Sequence, residues 1–220
     1  MSTFAFDVSN FLAGAVVLFS FALLYQVRLP PLINAFMAQS FLLALAIAWQ
    51  AQAQNAPQLL ITAAVELCFK AVLIPVVLYA LIRNLKIHRT VETVVGIGPT
   101  MIAGTALAGL SMALMMRTAP GIGDVVRVDL AFALCVILLG LLMMVTRRNA
   151  VSQVIGFMSI ENGLVLAATG IRGMPFVVET CVAFLVVVAL FVIGVFLLRI
   201  RERFDTVDVA ILDHFRGERR

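Results

Sequence analysis

From Leu130 to Val145 the chain runs sixteen residues without one polar side chain. Runs of this kind recur from end to end, and they constrain the fold more than any motif does. A soluble domain holds roughly 45–50% apolar and about 25% charged residues. Here 63% are hydrophobic and 13% charged, with a mean hydropathy of +1.09. Disorder, a collagen-like fibre and an ordinary cytosolic domain are all excluded. The runs are continuous rather than alternating, so a transmembrane barrel fails as well. In hydrocarbon every backbone polar group needs a partner within its own segment, and a helix supplies it.

The expected fold is an all-α polytopic membrane bundle of seven transmembrane helices, at 8–27, 32–52, 57–82, 93–116, 126–146, 150–171 and 175–198. Seven spans of about 20 residues leave roughly 80 for loops and ends. Such a chain has no soluble domain in which to house redox chemistry. Residues 1–10 lack a basic stretch and include Asp7, so no cleaved signal peptide is expected.

The formal net charge of +4 is no nucleic-acid signature, because the basic residues sit beside the spans. One set of span ends holds twelve, among them Arg28, Arg83, Lys86, Arg147, Arg148 and six tail arginines. The opposite ends hold three: Arg117, Arg127 and Arg172. This asymmetry predicts an outside N-terminus and a cytoplasmic C-terminus. Cys68, Cys135 and Cys181 lie in apolar runs without metal-ligand spacing. His88 and His214 lie outside the expected spans, which disfavours a membrane haem. No cofactor and no metal is expected.

A short internal match suggests duplication. Val65-Glu66-Leu67-Cys68 parallels Val178-Glu179-Thr180-Cys181, and Phe36-Met37 parallels Phe157-Met158. The implied organisation is an N-terminal three-helix unit (1–92), a linking helix (93–124), a second three-helix unit in the same orientation (125–198) and an amphipathic tail (199–220). The linking span carries Gly96, Gly98, Gly104, Ala108 and Gly109, small residues that allow close backbone approach.

Four charged residues stand out within spans, Glu66, Lys70, Glu161 and Glu179, while Arg127 and Asp129 lie in the opening turn of the fifth. Charge at such depth costs about 2.5–3.5 kcal/mol on insertion scales. Glu66 and Lys70, four apart, share a helix face. They read either as a proton-relay carboxylate tuned by an ammonium or as a neutralised structural ion pair. Glu161, beside Asn162 and near Ser159, suits the uptake and release of a proton. Glu179, near Arg172, is equally a relay station or a snorkelling side chain. Gln39, Ser40, Ser152 and Gln153 are expected to hold water between these stations. Asp129 is expected at the interface. No nucleophile–base set occurs, so catalysis by this chain is not expected.

Spans 5–7 resemble the small K subunit of bacterial complex I and its relatives in cation/proton antiporter complexes. The resemblance rests on Arg147-Arg148-Asn149 between two spans, on Ile155-Gly156, on Ile193-Gly194, and on an arginine-rich exit ending in Asp205-Thr206-Val207. A longer chain with this half at its C-terminus resembles component E of the hydrogenase-4 group. That resemblance implies a bacterial inner-membrane subunit of a formate-hydrogenlyase-type complex that aids proton translocation. It implies antiporter-like membrane neighbours and a nickel–iron hydrogenase arm carried by other subunits. The family's second-helix acid falls at Met158 here, with Glu161 one turn further on. Its third-helix acid falls near Leu190, where this chain has none.

Overall fold

A computed structural model of the chain describes residues 3–84, 93–118 and 124–170. Every regular element among them is helical: α1 (Thr3–Tyr25), α2 (Leu29–Gln54), α3 (Gln58–Val65), a π-helical segment π1 (Glu66–Leu73), α4 (Ile74–Asn84), α5 (Ile97–Thr118), α6 (Asp124–Thr146) and α7 (Ala150–Gly170). Among the described residues six helices are long and apolar enough to cross a membrane, with α3, π1 and α4 contributing one of them. Each coincides with one of the first six expected spans to within a few residues. The seventh span, the tail and the Val178-Glu179-Thr180-Cys181 copy of the proposed repeat lie outside the described residues.

Connections are short and chemically specified. Pro30 and Pro31 occupy the first turn of α2, where a missing N–H costs no helical bond. α2 closes on Asn55 in the left-handed region, φ 52°. The Asn55 N–H donates to the Gln52 carbonyl at 3.3 Å and Ala56 to Ala51 at 3.0 Å, the paired bonds of a Schellman motif. α7 opens with Asn149 Oδ1 accepting the Val151 N–H at 2.9 Å, as an N-cap does.

α1, α2, α7 and α6 close a ring in which each helix packs on the next. Its interior holds Val16, Phe36, Leu43, Ile47, Val136 and Ile155, all fully buried. α3, π1 and α4 pack on the outside of α2, and α5 packs on α6 and α1. α5 is the least covered of the six. α1, α3 and α6 begin at one end of the bundle, called the first end here, where α2, α5 and α7 finish. At the second end Val94 N–H donates to the Thr146 carbonyl at 2.8 Å. Beside it the buried Arg147 sends Nη2 to the Leu24 carbonyl at 2.6 Å. Burial lowers that guanidinium's proton affinity, but arginine stays charged.

The close backbone approach expected of the linking span is found elsewhere. In α5, Gly104 is tight against Phe21, Leu24 and Leu139, while Gly98 and Gly109 face open space. The backbone seam is α6 on α7. A Cβ on Gly163 would stand 2.6 Å from Ile137 Cγ1 and 2.9 Å from the Ala133 carbonyl. One on Gly140 would stand 2.9 Å from the Gly156 carbonyl. The dipeptides of the proposed repeat sit in unlike environments. Phe36 is buried and Met37 exposed, whereas Met158 is buried and Phe157 half-buried.

The seam predicts opposite outcomes at two glycines. Gly163→Ala should lower stability by about 1–3 kcal/mol through overpacking. Gly109→Ala should be neutral or gain up to about 1 kcal/mol from helix propensity. Thermal unfolding of the two variants in detergent checks both signs.

Candidate functional site

The interior stripe of the third span has a period of four: Thr62, Glu66, Lys70, Ile74, Leu78 and Ile82 are all buried. On an ideal α-helix each four-residue step drifts by about 40°, so such a stripe would wind off the contact face. The wider π turns absorb that drift. Ile74 N–H bonds Phe69, five residues back, which is the π pattern. Pro75 supplies a local cause, since it lacks an N–H and would crowd the carbonyl four residues earlier in an α-helix. The result is that Glu66 and Lys70, on π1 itself, face α2 and α7.

Lys70 Nζ donates to Glu66 Oε1 at 3.0 Å and to Asn162 Oδ1 at 3.2 Å. Glu161 Oε2 lies 3.9 Å from the same nitrogen. An ammonium has three donors, and three side chains from two helices surround this one. Lys70 is 6% exposed, Glu66 and Glu161 2% each, and Asn162 not at all. Glu66 and Glu161 lie about 12–14 Å in from the first end, and Lys70 about 18 Å, by helix rise. With hydrocarbon about 30 Å thick, the cluster straddles its middle.

The network continues in one direction. Asn162 Nδ2 donates to Gln39 Oε1 and to Ser40 Oγ, each at 3.3 Å. Gln39 Nε2 donates to Ser20 Oγ at 2.6 Å and Ser159 Oγ at 3.0 Å. Ser20 Oγ donates to the Val16 carbonyl at 3.0 Å. Every donor thus points away from Lys70, and aligned dipoles reinforce one another. The amides of Asn162 and Gln39 are poor proton carriers, because passing a proton through an amide needs its imidic acid form. Their role is to fix the ammonium. The groups able to exchange a proton are the carboxyls, and Glu66 Oε2 and both Glu161 oxygens have no hydrogen-bond partner among the described residues.

Two carboxyls therefore share one ammonium in a buried site. With one proton on a carboxyl the cluster is neutral, and without it the net charge is −1. In low dielectric that difference is large, so moving one proton changes the field across the bundle.

Of the residues singled out from sequence, Glu66, Lys70 and Glu161 come together, and Gln39, Ser40, Ser159 and Asn162 join them. Glu179 and Arg172 lie outside the described residues. Ser152 and Gln153 are not at the cluster: they sit in the first turn of α7, about 12–14 Å from Glu161 along the helix. Gln153 instead donates to the Arg147 carbonyl at 2.9 Å. Sequence reasoning missed Ser20, whose only signal is one hydroxyl within an apolar run. It also gave no sign that Asp129, near the first end, is 3% exposed within the bundle.

No family model matches this chain, and no solved structure matches it. It is 35% identical over 115 residues to an uncharacterized protein of Mycobacterium tuberculosis, Rv0085. The match spans 50% of this chain and 51% of that relative, so the chain covers about half the length of the curated relative it matches.

Lys70→Met should strand both carboxylates and cost about 3–5 kcal/mol, the usual penalty for breaking a buried pair. Adding Glu66→Gln should recover most of the loss, because Glu161 alone can take a proton. Unfolding midpoints of the single and double variants measure the difference.

Proposed function

We propose that this chain is a membrane subunit of a complex-I-like, membrane-bound hydrogenase of the formate-hydrogenlyase type, and that it contributes to proton translocation. The observation that carries this reading is the buried cluster of Glu66, Lys70 and Glu161 at mid-bundle depth. A purely structural tie needs one acid for one base. This site holds two acids, and the second, Glu161, accepts no hydrogen bond.

In the proposed mechanism Glu161 takes up a proton and Lys70 rests on Glu66. Loss of that proton leaves Glu161 charged 3.9 Å from the ammonium, which draws Lys70 toward it and frees Glu66. The π segment carries both partners of the pair, so a change in its winding would move them together. Glu179 is a further station in this scheme. Electron transfer takes place in other subunits, and the change of charge or shape there drives the carboxyls.

The resemblance to component E of the hydrogenase-4 group supplies the partners: antiporter-like membrane subunits and a nickel–iron hydrogenase arm. The excess of basic residues at one set of span ends supports the topology. We place the chain in the bacterial cytoplasmic membrane with its N-terminus outside and its C-terminus in the cytoplasm.

A second reading is assembly alone, with the chain sealing antiporter-like neighbours together. It is favoured by the network that ties α1, α2, π1 and α7 through Ser20, Gln39, Asn162 and Lys70.

Glu161→Gln decides between them. It keeps the side chain's shape, and the complex should still assemble with its hydrogenase large subunit, as read by co-purification. Proton translocation should fall by about tenfold or more, within the range that proton-transferring groups contribute. Full translocation by the variant would leave only the assembly role.

A further inference from the structure

Among the described residues, Asp129 finds no hydrogen-bond partner for either carboxyl oxygen, and it is 3% exposed. It stands on α6, five residues in from Asp124, at the level of Gly170 where α7 reaches the first end. A Cβ on Gly170 would lie 3.2 Å from Asp129 Cβ and 3.5 Å from its Oδ2. The glycine backbone therefore lies directly against the Asp129 side chain.

A buried carboxylate that no group neutralises is strongly disfavoured. A purely structural residue here would be apolar, because this acid brings no bond to the packing. A bare metal cation would need several oxygen ligands, and no group of three acidic, histidine or cysteine side chains exists among the described residues. A proton needs one oxygen.

Polar groups gather at the same level. Gln54 Nε2 donates to the Thr169 carbonyl at 2.9 Å and to Gln50 Oε1 at 3.1 Å. Gln50 Nε2 donates to Ser9 Oγ at 2.8 Å. From Gly170 to Glu161 is nine residues of α7, about 13 Å. Asp129 is therefore nearer the first end than the central cluster, and on the helix next to the one that carries Glu161.

We propose that Asp129 is a second proton-carrying carboxyl, the station through which Glu161 exchanges protons with the first end of the bundle. This rests on the relay reading of Glu161. It adds an acid on α6 that neither the internal repeat nor the family resemblance points to.

The test uses the assembled complex. Asp129→Asn preserves shape and loses no hydrogen bond, so assembly should persist while proton translocation falls about tenfold or more. In the wild-type complex, the infrared spectrum should contain a protonated-carboxyl C=O band that shifts in deuterium oxide and is missing from D129N. Asp129→Glu keeps an acid and should retain translocation where D129N loses it. Unimpaired translocation by D129N alongside impaired E161Q would overturn the Asp129 station and leave the central relay standing. Unimpaired translocation by both variants would overturn the relay itself. Failure of both D129N and D129E to assemble would make the position one of shape, and so overturn the proposal.

Discussion

The bundle depends on one ammonium group buried among acids inside the helices. Lys70 has no cheap resting place in hydrocarbon except against Glu66, Asn162 and Glu161. Each of those partners is held by a different constraint. Glu66 shares the helix with Lys70. Asn162 is fixed by Gln39 and Ser40, while Glu161 is fixed only by the course of α7. Breaking the charge balance at Lys70 would thus strain three spans at once. This is why a site of so few residues can govern the helices around it.

Two kinds of packing flank the site. α6 and α7 meet backbone to backbone through Gly140, Gly156 and Gly163, an arrangement that leaves little freedom to slide. π1 is the opposite, with wide turns before a proline and several large side chains (Leu67, Val72 and Leu73) turned outward. A rigid helix therefore presents Glu161 and Asn162, and a more deformable one presents Glu66 and Lys70. Under the proposed relay, a change in Lys70's partner would have its natural outlet in the π segment.

The fold was legible in the sequence wherever hydrophobicity alone decides. The first six expected spans fall on the six helices, because span length is set by bilayer thickness and not by tertiary detail. The pairing of Glu66 with Lys70 was legible because four residues make about one helical turn. The arrival of Glu161 at Lys70 was not, since it depends on which face of α7 meets α2 and on the register of π1. Gly96 to Gly109 drew attention as a small-residue stripe, but the working seam is Gly140 on Gly156 and Gly163 against Ala133. Glycine content says that close approach is possible, and only the partner helix says where. The burial of Asp129 was hidden for a related reason: counting residues from a span's end gives depth, but not whether a side chain faces lipid, headgroups or another helix.

The directionality of the network bears on what its amides are for. Donation runs from Lys70 through Asn162 and Gln39 to the serines and ends on the Val16 carbonyl. Reversing any link would require the whole chain to turn over, because each amide presents its oxygen toward Lys70 and its nitrogen away from it. The negative ends of these dipoles therefore face the ammonium permanently. They stabilise the charged lysine whichever carboxylate it contacts, and so lower the cost of exchanging one partner for the other. On this argument the neutral polar residues are not a wire. They are a fixed solvent for one cation, which leaves the carboxyls free to gain and lose the proton.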